Sequence, residues 1–332
     1  LSLSVGALLA GCGAESGPEG VVVYTSVDQI YSEPILEAFE AKTGIQVLAV
    51  YDVEAAKTTG LANRLIAERS RPQADVFWSG EFAQTIRLER EQVLAPYRSP
   101  NLEGIPAHFI DPEYHWIGFG GRARLLIINT DLVEERGEPE SIFDLVAPEW
   151  PANEIGIAHP LFGTTATHAA ALYAELGPDE ARAYFISLRD RGVLVVDGNS
   201  VVRDMVAGGQ LAFGMTDTDD ACGAIQRGQP VKVVVPDQGV GELGTLVVPN
   251  TVALIAGGPN PAAGEALIDY LLSEQALKLM LESGWVQVTH RQVDAEPPCF
   301  GDLSIHAMSI PLEEIYSQLD RSQSELAEIF VR

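Results

Sequence analysis

Positive charge is scarce in this chain. Against 47 Asp and Glu stand 21 Lys and Arg, a formal net charge of −26 at pH 7 over 332 residues. Such a surface repels polyphosphate and anionic lipid, so a nucleic-acid partner is not expected, and it favours cations wherever a cleft concentrates field lines. Long apolar runs are missing from the interior, and no internal segment reaches the length needed to span a bilayer. Catalytic signatures are missing too: there is no Gly-x-Ser-x-Gly elbow, no His-Glu-x-x-His and no glycine-rich loop ending in Gly-Lys-Ser/Thr. His159 and His168 flank a threonine-rich turn, but no serine or cysteine nucleophile is placed to partner them, and a lone histidine beside a turn is usually structural. The chain does not read as an enzyme. With 46% hydrophobic and 20% charged residues it is an ordinary soluble globular composition, long enough for two lobes with separate cores.

Cysteine is limited to Cys12, Cys222 and Cys299. The first ends Leu1-Ser2-Leu3-Ser4-Val5-Gly6-Ala7-Leu8-Leu9-Ala10-Gly11-Cys12, an apolar stretch like the core of a secretory signal. Leu9-Ala10-Gly11-Cys12 resembles a bacterial lipobox, in which the cysteine is lipidated, and residues 13–20 then read as a polar tether. A basic n-region and an initiator methionine are missing, so the start reads as truncated. Export leaves Cys222 and Cys299 as an even pair in an oxidising compartment, either bridged or held as buried free thiols.

Strands and amphipathic helices alternate from Val21 onward. Strand Val21–Tyr24 is followed by a helix over Ile30–Lys42 closed by Gly44, strand Ile45–Tyr51, a helix over Thr58–Arg69, strand Ala74–Trp78 and a helix over Phe82–Glu91. That order predicts βαβ units and a mainly parallel sheet. Trp116–Asn129 is a long extended segment, suited to a strand crossing between lobes. A second alternation follows: strand Ile155–Ala158, helices Thr164–Leu176 and Asp179–Arg191, strand Val193–Val196, helix Ser200–Ala207 and strand Leu211–Met215. Gly244–Ile255 reads as the returning crossover, Ala262–Leu272 and Glu274–Ser283 as helices, and Pro311–Arg332 as one final helix or a pair.

The richest stretch is Gly214-Met215-Thr216-Asp217-Thr218-Asp219-Asp220-Ala221, between a short buried strand and a helix-like Cys222–Gln226. Open α/β sheets bind ligands beyond the carboxyl ends of their strands, where helix N-termini present free N–H groups. A helix cap needs one Thr or Asp; three aspartates and two threonines point to a ligand as well.

These pieces together resemble the bacterial extracellular solute-binding proteins of the ferric-iron-binding type, within the periplasmic binding protein type II fold. The resemblance rests on Val22-Val23-Tyr24-Thr25-Ser26, Phe39-Glu40-Ala41-Lys42-Thr43-Gly44-Ile45, Ala74-Asp75-Val76-Phe77-Trp78, Gly121–Thr130, Val248–Ile255 and Ile268–Ser273, in order and covering nearly everything after the tether. It implies an α/β fold of two lobes joined by two crossing hinge strands: residues 1–20 signal, lipobox and tether, 21–122 with 247–292 the first lobe, and 123–246 with 293–332 the second.

The resemblance also implies a site. Iron-binding members use a first-loop residue, a glutamate after the third strand and two adjacent tyrosines, with an anion completing the shell. Here those positions fall on Asp28, Glu81 and Asp219-Asp220, so the phenolates are replaced by carboxylates. These remain hard ligands able to clasp Fe(III), though each acid is equally suited to capping its own helix. For the anion, Thr164 and Thr165 open a helix, Thr25, Ser26 and Ser79 supply hydroxyls, Asp217 adjoins, and Arg122 is favoured over Arg124 for a bidentate charge. The expected protein is the monomeric, lipid-anchored periplasmic or extracytoplasmic component of an ABC importer, feeding its permease ferric iron with a synergistic anion (carbonate or similar). The alternative is a phosphorylated small molecule, a sugar phosphate or phosphonate, its hydroxyls or amine held by Asp219 and Asp220.

Overall fold

A computed structural model describes residues 20–52, 59–133, 137–291, 293–295, 298–300 and 305–331. Cys12, the lipobox and residues 13–19 of the tether lie outside them. In chain order the elements are β1 Val21–Thr25, α1 Gln29–Thr43, β2 Val47–Tyr51, α2 Thr59–Ala67, β3 Val76–Ser79, α3 Ala83–Arg90, β4 Leu94–Ala95, β5 Ile117–Asn129, α4 Thr130–Val133 and β6 Ile155–Ala158. There follow α5 Gly163–Glu175, α6 Pro178–Arg191, β7 Leu194–Val196, α7 Asn199–Ala207, β8 Phe213–Asp217, α8 Thr218–Gln226, β9 Val231–Val234, β10 Val247–Ile255, α9 Pro261–Leu271, α10 Glu274–Glu282 and α11 Leu312–Phe330. No helix among the described residues is long and apolar enough to cross a membrane.

The strands run β2-β1-β3-β10-β5-β8-β6-β7, with β4 on β10 and β9 on β5. β5 belongs to two half-sheets. Its first part, Ile117 to Ala123, pairs antiparallel with β10; its second, Arg124 to Ile128, pairs with β8, and Leu126 to Asn129 with β9. β1 lies parallel between β2 and β3, and β6 parallel between β7 and β8. A strand covered on both faces reads as a continuous apolar run, as Val21–Tyr24 does; β1 and β10 are buried at every residue, β10 with Asn250 and Thr251 in its middle. Just before β10 the return passes along β5, where the Arg124 N–H donates to the Leu246 carbonyl at 2.9 Å.

Most elements form where the sequence spacing places them, within two residues at each end. Gly44 ends α1 in the left-handed region (φ 74°), its N–H donating to the Glu40 carbonyl at 2.8 Å, a conformation for which glycine carries no Cβ penalty. Two differences matter for the site. β8 runs to Asp217 rather than ending at Met215, and α8 begins at Thr218 rather than Cys222. The acidic stretch is therefore a strand end and a first helical turn, where negative charge is stabilised by the helix dipole. Cys222 and Cys299 form a disulfide, and 312–330 is a single helix packed on α5 and α6.

β6 and β8 approach closely because both carry glycine at the contact. A Cβ on Gly214 would meet the Gly156 carbonyl oxygen and come within 2.6 Å of Val202 Cγ1. Gly214→Ala is expected to cost about 1–3 kcal/mol through overpacking, read as a lowered midpoint in chemical denaturation. An unchanged midpoint would contradict this account of the β6–β8 contact.

Candidate functional site

The site is assembled around β5 and the start of α8. Arg124 and Asp217 are register partners across β5 and β8, and their side chains form a buried ion pair at 2.7 Å. Asp217 is the N-cap residue of α8, yet its side chain makes no cap bond. Its carboxylate instead accepts from the Thr164 hydroxyl at 2.6 Å and from Asn199 Nδ2 at 3.0 Å, besides Arg124. Arg124 also donates to the Thr164 and Thr165 hydroxyls, both at 3.3 Å, and to Asn199 Oδ1 at 3.1 Å. Burial alone would push the Asp217 carboxyl up; the guanidiniums of Arg124 and Arg122 outweigh it and hold the group below the usual carboxylate range. Thr164 and Thr165, expected at an anion, are thus bound into an internal network that joins the starts of α5, α7 and α8.

Asp219 and Asp220 point to different cations. Asp219 pairs with Arg122 at 3.1 Å and Asp220 with Arg203 at 2.8 Å. Arg122 is held in turn by the Gly80 carbonyl at 3.1 Å and by the Trp285 ring, whose centroid lies 4.6 Å from the guanidinium carbon. The ligand atoms of Asp217, Asp219 and Asp220 lie within 4.8 Å of one another. Asp219 Oδ1 and Arg122 Nε are both buried and have no hydrogen-bond partner among the described residues. An open carboxylate oxygen beside an open guanidinium N–H can accept a cation and an anion together.

The first-half-sheet residues sit differently. Ser26 and Ser79 hydroxyls lie 3.1 Å apart at the ends of β1 and β3; Ser26 Oγ accepts from the Gly80 N–H and Thr25 Oγ1 from the Val27 N–H, each at 3.1 Å. Glu81 spends its carboxylate on the backbone N–H groups of Ala83 (2.7 Å) and Gln84 (3.1 Å) at the start of α3. Burial pushes its pKa up against those bonds. It lies outside the close carboxylate group, as does Asp28 at the N-cap of α1. One further group of possible metal donors, Glu89, Asp111 and His115, occurs among the described residues; there Asp111 Oδ2 already accepts from two backbone N–H groups and faces His115 Nδ1.

Several residues without a local sequence signal join the site. Tyr31 stacks against Trp285 with ring centroids 5.2 Å apart, and burial followed by the charges of Asp219, Asp28 and Asp220 pushes its hydroxyl pKa up. Thr218 Oγ1 accepts from the Ala123 N–H and donates to Gln287 Oε1 at 2.6 Å. Arg203, Asn199, Trp285 and Gln287 arrive from distant elements. His168 is buried beside Met215 Sδ at 3.1 Å, its pKa lowered to about 3 by burial and then by Arg124, so it is neutral at ordinary pH.

Burial, reinforced by the charges of Asp219 and Asp217, raises the Asp220 carboxyl to about 7. The folded chain therefore holds this proton over a range where the unfolded chain, with an ordinary Asp value, has lost it. The contribution of Asp220 to stability falls as pH rises through that range and levels off above about pH 7. Asp220→Asn is expected to be the more stable protein at about pH 7.5, with the gap closing toward about pH 4.5. Buried histidines are common to both proteins and cancel in the difference. Paired thermal melts across this range check it, and a gap independent of pH would sink the argument.

The model of the bacterial extracellular solute-binding protein family matches residues 35–291. A Serratia marcescens Fe(3+)-binding periplasmic protein is 25% identical over 208 residues, 63% of this chain and 60% of that protein. A putative 2-aminoethylphosphonate-binding periplasmic protein of Salmonella typhimurium is 26% identical over 292 residues, 85% of this chain and 82% of its own length. Among solved structures, apo ferric ion-binding protein A of Pasteurella haemolytica superposes with a TM-score of 0.81 at 22% identity, covering 94% of this chain and 98% of that one. That likeness fixes the periplasmic binding protein type II fold. The chain belongs to the bacterial extracellular solute-binding protein family.

Proposed function

We propose that this chain captures ferric iron together with a synergistic anion beside β5 and delivers it to the permease of an ABC importer, working as a monomer anchored outside the cytoplasmic membrane by lipid on Cys12. The observation that carries this reading is the juxtaposition of Asp219 Oδ1 and Arg122 Nε, both buried and unpartnered among the described residues, next to the carboxylates of Asp217 and Asp220. An anion taking Arg122 frees Asp219 from its ion pair, and the freed carboxylate then serves the metal. Each charge makes room for the other, which is what synergism between metal and anion requires. Carboxylate oxygens suit a hard trivalent ion. Asp28 and Glu81 join as ligands only after a rotamer change or a closing motion about β5 and the return into β10, with Glu81 leaving the start of α3.

A second reading has its own support. All three clustered aspartates already face guanidinium groups, so the local charge is close to balanced. A ligand with both an amine and a phosphonate, or a sugar phosphate, fits a balanced site without stripping a metal from water. The alignment to the aminoethylphosphonate-type relative also runs through most of both chains.

Native mass spectrometry of protein purified without chelator, followed by calorimetric titration, separates the two. Iron with carbonate should bind, and Asp219→Ala should weaken it about 100-fold, roughly 2.7 kcal/mol. Arg122→Ala should remove the dependence on the anion. Binding of 2-aminoethylphosphonate or a sugar phosphate that is indifferent to chelator and lost in Arg122→Ala would overturn the iron reading in favour of the second.

A further inference from the structure

The chain leaves α10 in the first half-sheet and reaches α11, which packs on the helices of the second, by way of residues 284–310. Its described parts form a strap pinned at successive points. The Gly121 N–H donates to the Val288 carbonyl at 2.7 Å, and Gln287 and Val288 N–H donate to the Gly121 carbonyl at 3.0 Å. Gln287 accepts from Thr218 at the start of α8. Cys299 is bonded to Cys222 in α8. Thr245, at the return before β10, donates to the His306 carbonyl and accepts from the Met308 N–H. The strap is a third crossing between the half-sheets, beside β5 and the return.

The covalent pin lies at the site. Cys222 follows Asp219 by three residues, one turn along the same face of α8, and is buried, as is Cys299. A Cβ on Gly284 would lie 3.7 Å from Cys222 Sγ and 3.2 Å from Pro298, so the turn leading into Trp285 rests against the bridge. Trp285 in turn holds the Arg122 guanidinium and is anchored by its own N–H to Asn250 Oδ1 at 2.9 Å. The disulfide therefore joins the helix carrying Asp219 to the segment that orients Arg122.

We infer that Cys222 and Cys299 are positioning residues for the ligand site: their bond holds the first turn of α8 against the Trp285 segment and so sets the Asp219–Arg122 geometry. The ligand arm of the test rests on the function proposed above; the exchange arm does not. In the double variant Cys222→Ala/Cys299→Ala, amide exchange in residues 218–223 should speed by about tenfold or more while α5 keeps its protection. Affinity for iron with carbonate, or for the phosphonate if that is the cargo, should fall about tenfold measured well below the melting temperature. Unchanged exchange in 218–223, or an equal rise throughout the chain, would overturn the inference and leave the bridge a general stabiliser. If wild-type protein binds neither ligand, the proposed function fails while the exchange result still decides this one. Should the double variant not fold, opening the bridge of folded wild-type protein with a phosphine gives the same readout; the disulfide becomes two thiols and the phosphine becomes its oxide, taking oxygen from water.

Discussion

The Arg124–Asp217 pair is the constraint on which the second half of the molecule depends. A guanidinium with 1% of its side chain exposed is tolerable only if its charge is matched and most of its N–H groups are bonded; here Nη1 and Nη2 are bonded, while Nε has no partner among the described residues. The matching group must come from β8, because Arg124 and Asp217 face each other in the β5–β8 register. A one-residue slip would carry Asp217 to the opposite face and strand the charge, so the pair specifies that register. The remaining bonds reach Thr164, Thr165 and Asn199, at the beginnings of α5 and α7, while Asp217 itself begins α8. Three helix starts are thus tied to one ion pair. Such a pair is weak grounds for net stability, since apolar residues of equal volume often do as well. What it supplies here is placement.

Placement also sets where the next two aspartates stand. With Asp217 fixed as the residue before α8, Asp219 and Asp220 fall in the first turn, where the helix dipole favours their charge even though burial penalises it. Asp219 stays near Arg122 and Asp220 near Arg203. Although the whole chain carries −26, this site is nearly balanced, and the surplus of acid lies elsewhere on the surface. The long-range field draws cations toward the protein, while the local balance offers little net attraction to a bare cation. Net charge and site charge thus select on different scales.

Much of the architecture was legible because amphipathic helices and buried strands leave strong periodic traces. The alternation from Val21 to Arg90, the unusual length of β5 and the Gly44 stop are all readable as pattern. The beginning of α8 was not. Aspartate and threonine are poor interior helix residues but good first-turn residues, so an acid-rich run looks the same as loop or helix start until the preceding strand is placed. Sequence brought these carboxylates forward but could not say what each touches. Glu81 came forward through the family resemblance; that its oxygens are spent on Ala83 and Gln84 depends on a rotamer. Arg203, Trp285 and Tyr31 had no local signal, because each meets the site through tertiary contact alone.

The two arginines of β5 differ in what a hinge motion would do to them. Arg124 and Asp217 lie in the same half-sheet, so rotation of one half against the other leaves their pair intact. Arg122 lies in the part of β5 that pairs with β10, opposite Val248, and touches Gly80 after β3, whereas Asp219 moves with α8 and β8. Their contact spans the point where β5 changes partners. A rotation of one half against the other would act on that contact within what the Cys222–Cys299 bridge allows, and a ligand inserted between the two side chains would act on the rotation. On the function proposed above, ligand exchange at Arg122–Asp219 and movement about β5 would be one coordinate, while Arg124–Asp217, two residues away in sequence from each partner, would supply the fixed point for that movement.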